Sequence, residues 1–228
     1  MCAPGRTWPW TPGPGGPIHA AAGQRWHFVG DSITADVVQW YAEPGGFVDQ
    51  LNALVGGAGV TVTASGIAGD EAVWLASQVH ERVAIFNPDV VVPLIGINDV
   101  RVNEATAVYA AAYESILYGL RAELPNAQIL VVSMLVKGEQ WASNPLRWAP
   151  SADNFIDEKN AAVQPLCTKY GAVYADVRDH ALLYEQAHNT PEPGADLGIL
   201  TWNVDDFHPG STGKIQMGTW VMERVVTP

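Results

Sequence analysis

The chain has 228 residues, 48% hydrophobic and 16% charged, which suits one folded domain with a sizeable core and excludes a disordered chain. Lys and Arg number 12 against 24 Asp and Glu, a formal net charge of -12. Such a surface repels phosphate backbones and anionic lipid heads, so it argues against nucleic acid or a bare membrane as partner and favours a neutral substrate.

In chain order, residues 1–24 come first, rich in Pro and Gly and without an apolar run of signal-peptide length. They are expected to be a flexible leader before a single domain over residues 25–228. The missing signal run favours a cytoplasmic location, with export left open. Five apolar runs follow: Trp26–Val29, Val60–Ala64, Val90–Ile95, Gln128–Ser133 and Ala172–Ala175. They read as buried strands, although Pro93 in the third run withholds a ladder donor. Helical patterns lie between and after them, over Phe47–Leu54, Glu71–Val83, Asn103–Leu124, Asp153–Tyr170 and Gly210–Val226. In the third helix Val108, Ala111, Ala112, Ile116, Leu117 and Leu120 form the expected apolar stripe. Strand and helix alternate at the spacing of βαβ units, which predicts an α/β fold with a parallel sheet covered on both faces. No stretch approaches 18 apolar residues, so no stable membrane insertion is expected. Two cysteines, Cys2 and Cys167, make no disulfide scaffold, and Cys167 reads as a small core residue in a helix.

Glycines and polar residues gather after the strands. In open α/β sheets, ligands bind at the strands' carboxyl ends. One rim therefore carries Gly30-Asp31-Ser32, Gly66 to Asp70, Gly96-Ile97-Asn98-Asp99 and the loop after Ser133. Ser32 stands in a tight turn near a helix start, where backbone N–H groups face whatever its hydroxyl attacks. A serine needs a base, and Asp205-Asp206-Phe207-His208 offers one: His208, with Asp205 three residues earlier to fix its tautomer. Asp206 is the alternative orienting carboxylate. The Asn98 amide at a strand end can donate to a developing oxyanion, and a glycine in the Gly66–Asp70 loop can offer its N–H at close approach. Each segment alone is compatible with an ordinary turn. Their joint order of Ser, Gly, Asn and His is the stronger signal. No His or Cys spacing suggests a zinc site, and no cofactor loop is present, so no cofactor or metal is expected.

With these four segments the chain resembles the SGNH, or GDSL, hydrolases from about Arg25 to the last helix. The family's blocks correspond to Gly30-Asp31-Ser32, Gly69, Gly96-Ile97-Asn98-Asp99 and Asp205 to His208. The resemblance implies a flavodoxin-like three-layer α/β/α fold around a five-stranded parallel sheet. It also implies ester hydrolysis without a metal, with Ser32, Asp205 and His208 as triad and with Ser32, Gly69 and Asn98 as oxyanion hole. Two positions depart from the pattern: Ala64 stands where the second block opens with Asn, and Ile33 where the first block has Leu. Trp141 and Trp148, in the long loop after the fourth strand, are candidate substrate walls. The expected substrate is a small-molecule or carbohydrate ester, with a short acyl group on a sugar or small alcohol. The rival readings are a lipase or thioesterase for longer chains, and a silent carbohydrate-binding module of the same fold.

Overall fold

The structure is a computed structural model and describes residues 16–35, 47–134, 152–181 and 211–227. Its elements are β1 (Ile18–His19), β2 (Arg25–Gly30), α1 (Phe47–Gly56), β3 (Thr61–Gly66), α2 (Ala72–Ser77), α3 (Val79–Arg82), β4 (Val90–Leu94), α4 (Ile97–Arg101), α5 (Thr106–Glu123), β5 (Gln128–Val132), α6 (Ala152–Tyr170), β6 (Val173–Ala175), α7 (Ser211–Met222) and β7 (Val225–Val226). The main sheet has five parallel strands in the order β3-β2-β4-β5-β6, the flavodoxin-like order expected. All five expected strands form. β2 and β4 bury nearly every residue, as two-sided apolar runs should. β3 differs: at the sheet edge it leaves Thr61, Thr63 and Ala64 exposed. Pro93 is accommodated at the register position of Val29, while the β4–β5 ladder pairs Val90 with Gln128 and Val91 with Ile129 and ends before it.

The structure differs from the sequence reading at four places. Glu71–Val83 is two helices, because Gln78 leaves helical geometry at φ -125° and ψ 18°. The long helix begins at Thr106 rather than Asn103, since Asn103 takes φ 58° after the short helix α4. Its buried stripe is Tyr109, Ala112, Tyr113, Ile116, Leu117 and Leu120, so Val108 and Ala111 face outward, one residue off the expected face. The fourth difference concerns the stretch read as a leader. Ile18 and Ala20 are buried there, and β1 pairs in parallel with β7, so part of that stretch belongs to the folded body. Residues 1–15 lie outside the described residues. Cys167 is buried as expected, and burial pushes its thiol up to about 12. Among the described residues no helix is long and apolar enough to cross a membrane.

Candidate active site

The strand order reverses direction at β2, which lies between β3 and β4. The carboxyl ends of these three strands therefore meet at the topological switch point, where doubly wound sheets bind ligands. Three of the segments singled out in the sequence sit there: Gly30 ends β2, Gly66 ends β3, and Gly96 follows β4.

The first two glycines are required by space. A Cβ on Gly30 would lie 1.9 Å from the Leu94 carbonyl oxygen, and one on Gly66 would lie 2.1 Å from the Ala35 backbone nitrogen. These contacts lock the ends of β2, β3 and β4 against the turn that carries Ser32. Within that turn the buried Asp31 carboxylate accepts the Ile33 N–H at 2.9 Å, and the Asp31 carbonyl accepts the Ala35 N–H at 2.9 Å. Ser32 is partly exposed on this turn.

The second segment leaves β3 beside the first, with the Ile67 N–H donating to the Gly30 carbonyl at 3.0 Å. Gly69 has φ +81°, and nothing lies within 4 Å of where a Cβ would stand. Its glycine is therefore demanded by backbone conformation rather than by crowding. Next to it Asp70 is buried and forms an ion pair with the buried Arg82.

The third segment turns at Gly96, whose φ is +135° and whose Cβ would meet Met134 Sδ and Tyr109 Oη, each at 2.7 Å. Asn98 is 5% exposed and donates through Nδ2 to the Asp70 carbonyl at 2.9 Å. An amide nitrogen carries two N–H groups, and this bond uses one. Asp99 is 1% exposed and accepts the Ala72 N–H at the start of α2, at 3.1 and 3.2 Å from its two oxygens. Burial raises its carboxyl to about 7, against the opposing Ala72 N–H.

Ser32, Gly69 and Asn98 thus stand on three neighbouring strand ends, and Asn98 is bonded directly to the residue after Gly69. Asp205, Asp206, His208, Trp141 and Trp148 lie outside the described residues. Sequence reasoning missed Arg82, the Asp70–Arg82 pair and the bond from Asp99 to α2. Each joins residues brought together only by the fold, and Arg82 ends a helix with no local mark of importance. His27, in β2, is fully buried between Thr63 Oγ1, Ser65 Oγ and the Arg82 carbonyl, at 2.7–2.8 Å. Desolvation holds its pKa below the ordinary value, so it is a neutral structural imidazole at neutral pH.

The solved structures that resemble this one include a protein from Parabacteroides merdae assigned as a GDSL-like lipase. It has a TM-score of 0.73 and 20% identity, with 91% of this chain and 98% of that one covered. Axe2, an acetylxylan esterase from Geobacillus stearothermophilus, has a TM-score of 0.69 and 20% identity, with 90% and 95% covered. LAE5, an α/β hydrolase enzyme from the metagenome of Lake Arreo, has a TM-score of 0.66 and 21% identity, again with 90% and 95% covered. At these identities the likeness speaks for the fold. No curated protein sequence matches significantly. The model of the GDSL-like Lipase/Acylhydrolase family matches residues 28–214, from the second residue before Gly30 into the last helix, and the chain belongs to that family.

Proposed function

We propose that this ester hydrolase works through Ser32 as nucleophile and His208 as base, with Asp205 orienting the histidine, on a short acyl group carried by a carbohydrate or small alcohol. Ser32 Oγ attacks the acyl carbon while His208 takes its proton. The oxyanion is held by the N–H groups of Ser32 and Gly69 and by the Asn98 side chain. Collapse of the tetrahedral intermediate expels the alcohol, which receives the proton from His208. Water then attacks the acyl-enzyme by the same route and frees the acid.

The observation that carries this reading is the convergence of Ser32, Gly69 and Asn98 at the switch point, with Asn98 tied to Asp70. The triad assignment has outside support. Variants of the Geobacillus acetylxylan esterase described as catalytic replace a serine, an aspartate and a histidine, the last two three residues apart. Asp205 and His208 have the same spacing. The acetylxylan esterase fold also supports the substrate class. Near Gly69, Ile67 and Trp74 are 47% and 61% exposed, which offers apolar and aromatic surface of the kind a sugar ring or short acyl group can use.

A panel of p-nitrophenyl esters from acetate to decanoate, run beside acetylated xylo-oligosaccharides, tests the substrate. Acetate is expected to be the best acyl group, with acetyl release from the oligosaccharides. A rate that climbs to the decanoate, with no acetyl release, would overturn the substrate class in favour of a lipase.

A further inference from the structure

The ends of β2 and β3 and the Gly69 loop share one cation. Arg82 is 6% exposed at the end of α3. Its Nη1 pairs with the Asp70 carboxylate. Its Nη2 donates to the Gly30 carbonyl at 2.8 Å and to the Ser65 carbonyl at 2.7 Å. Gly30 lies two residues before Ser32, Ser65 precedes the Gly69 loop, and Asp70 closes that loop. The Asp70 carbonyl in turn holds Asn98. One planar guanidinium therefore reaches the base of the nucleophile turn and both ends of the loop that bears Gly69, and one further bond takes it to Asn98. The backbone of Arg82 is itself fixed, because its carbonyl accepts from Ser65 Oγ and from His27 Nε2, each at 2.7 Å.

We infer that Arg82 is a positioning residue for ester hydrolysis: it sets the spacing between the Ser32 turn and the Gly69 and Asn98 donors by bonding Gly30, Ser65 and Asp70 at once. This rests on the assignment of Ser32, Gly69 and Asn98 proposed above. The fork geometry explains the residue type. A guanidinium presents several N–H donors in fixed directions, and here two terminal nitrogens serve three acceptors. An ammonium is a point charge that can keep Asp70 neutralised without holding two carbonyls in register. The oxyanion exists only in the transition state, so a small error in donor spacing falls on kcat, and a shift of about 1 Å can cost about 100-fold.

The test is Arg82→Lys, which keeps the charge buried against Asp70. Hydrolysis of p-nitrophenyl acetate is measured per active site, with sites counted by fluorophosphonate titration so that unfolded protein does not contribute. We expect kcat to fall about 10- to 100-fold with KM within about twofold. The same loss should largely disappear in an Asn98→Ala background, since removal of one donor leaves less for Arg82 to align. A kcat per active site within twofold of the parent, or equal losses in both backgrounds, overturns the inference. Should Arg82→Lys fail to fold, Asp70→Ala takes its place: it removes one of the three acceptors and unties the guanidinium from the end of the Gly69 loop, with a fall in kcat in the same direction expected. An unchanged kcat in the folded variant is equally decisive against. Failure of the underlying site assignment looks different: Ser32→Ala would then hydrolyse the ester like the parent, whatever Arg82 does.

Discussion

Replacing Asn98 with Ala separates two duties that the structure places on one amide. The first is architectural. Asn98 is buried, and one of its N–H groups is bonded to the Asp70 carbonyl at 2.9 Å. Removing it forfeits a hydrogen bond of about 1 kcal/mol net and leaves a buried carbonyl unsatisfied, so the total loss is about 1–3 kcal/mol. In a chain of this size each kcal/mol moves Tm by about 2–4 °C, so a fall of about 4–8 °C is expected for the middle of that range. The second duty is chemical. The other N–H is free of that bond by stoichiometry and is the proposed oxyanion donor. Its loss is expected to lower kcat by about 10²–10³, on the scale of a missing oxyanion donor, with KM little changed. The assay is steady-state hydrolysis of p-nitrophenyl acetate well below the variant's Tm, with thermal unfolding followed on the same preparation. The reasoning predicts both losses together. A variant that melts lower yet keeps the parent kcat would refute the chemical duty and leave Asn98 as a loop fastening alone.

Two glycine variants should behave oppositely. Gly30→Ala drives a methyl to within 1.9 Å of a backbone oxygen in the next strand, where no side-chain motion relieves it. Destabilisation beyond the usual overpacking cost of about 1–3 kcal/mol is expected, read as insoluble or unfolded protein by circular dichroism. Gly69→Ala meets nothing within 4 Å and suffers only its φ of +81°, so it should fold with a penalty of about 1–2 kcal/mol in urea unfolding. Equal behaviour of the two would contradict the packing argument. Asp99 supplies a pH signature. Its folded carboxyl titrates near 7, above the unfolded value near 4, so the folded state binds the proton more tightly. The resulting stabilisation is fully present below about pH 4 and is lost as pH rises toward and through 7. Asp99→Asn keeps an acceptor for the Ala72 N–H and removes the ionisation. It should therefore be more stable than the parent at pH 8, by up to about 4 kcal/mol, with the advantage fading toward pH 4. A pH-independent difference between the two urea midpoints would contradict the burial of a charge there.

The five strands and the rim at their carboxyl ends were legible because both follow from local signals, whereas the flavodoxin-like strand order came only from the family resemblance. Two-sided apolar runs such as Val90–Leu94 specify buried strands, and the glycines after them specify close chain approaches that any side chain would block. Other features lie beyond local reading. The break at Gln78 has no Gly or Pro beside it, so nothing in Ser77-Gln78-Val79 marks it. The pairing of Ile18 and His19 with Val225 and Val226 joins the two ends of the described chain, and two-residue strands carry no periodicity to find. Val108 and Tyr109 are both apolar enough to be buried, and only the neighbouring elements decide which of them faces inward. Arg82 is the sharpest case. Its importance lies in three acceptors from 12 to 52 residues away, which no spacing rule connects. The residue type of Asn98 suggests an amide donor at the rim, but its bond to the Asp70 carbonyl 28 residues away is visible only in the fold; the second N–H is the proposed oxyanion donor.

Covalent labelling of Ser32 by a fluorophosphonate tests the central claim most directly, because the probe phosphonylates a serine only where a base activates its hydroxyl. The folded parent protein is expected to take up one label per chain, on the peptide that contains Gly30-Asp31-Ser32, and to lose p-nitrophenyl acetate hydrolysis in proportion. Ser32→Ala should neither label nor turn over. A label found on another residue, or near-parent hydrolysis by a well-folded Ser32→Ala protein, would contradict it.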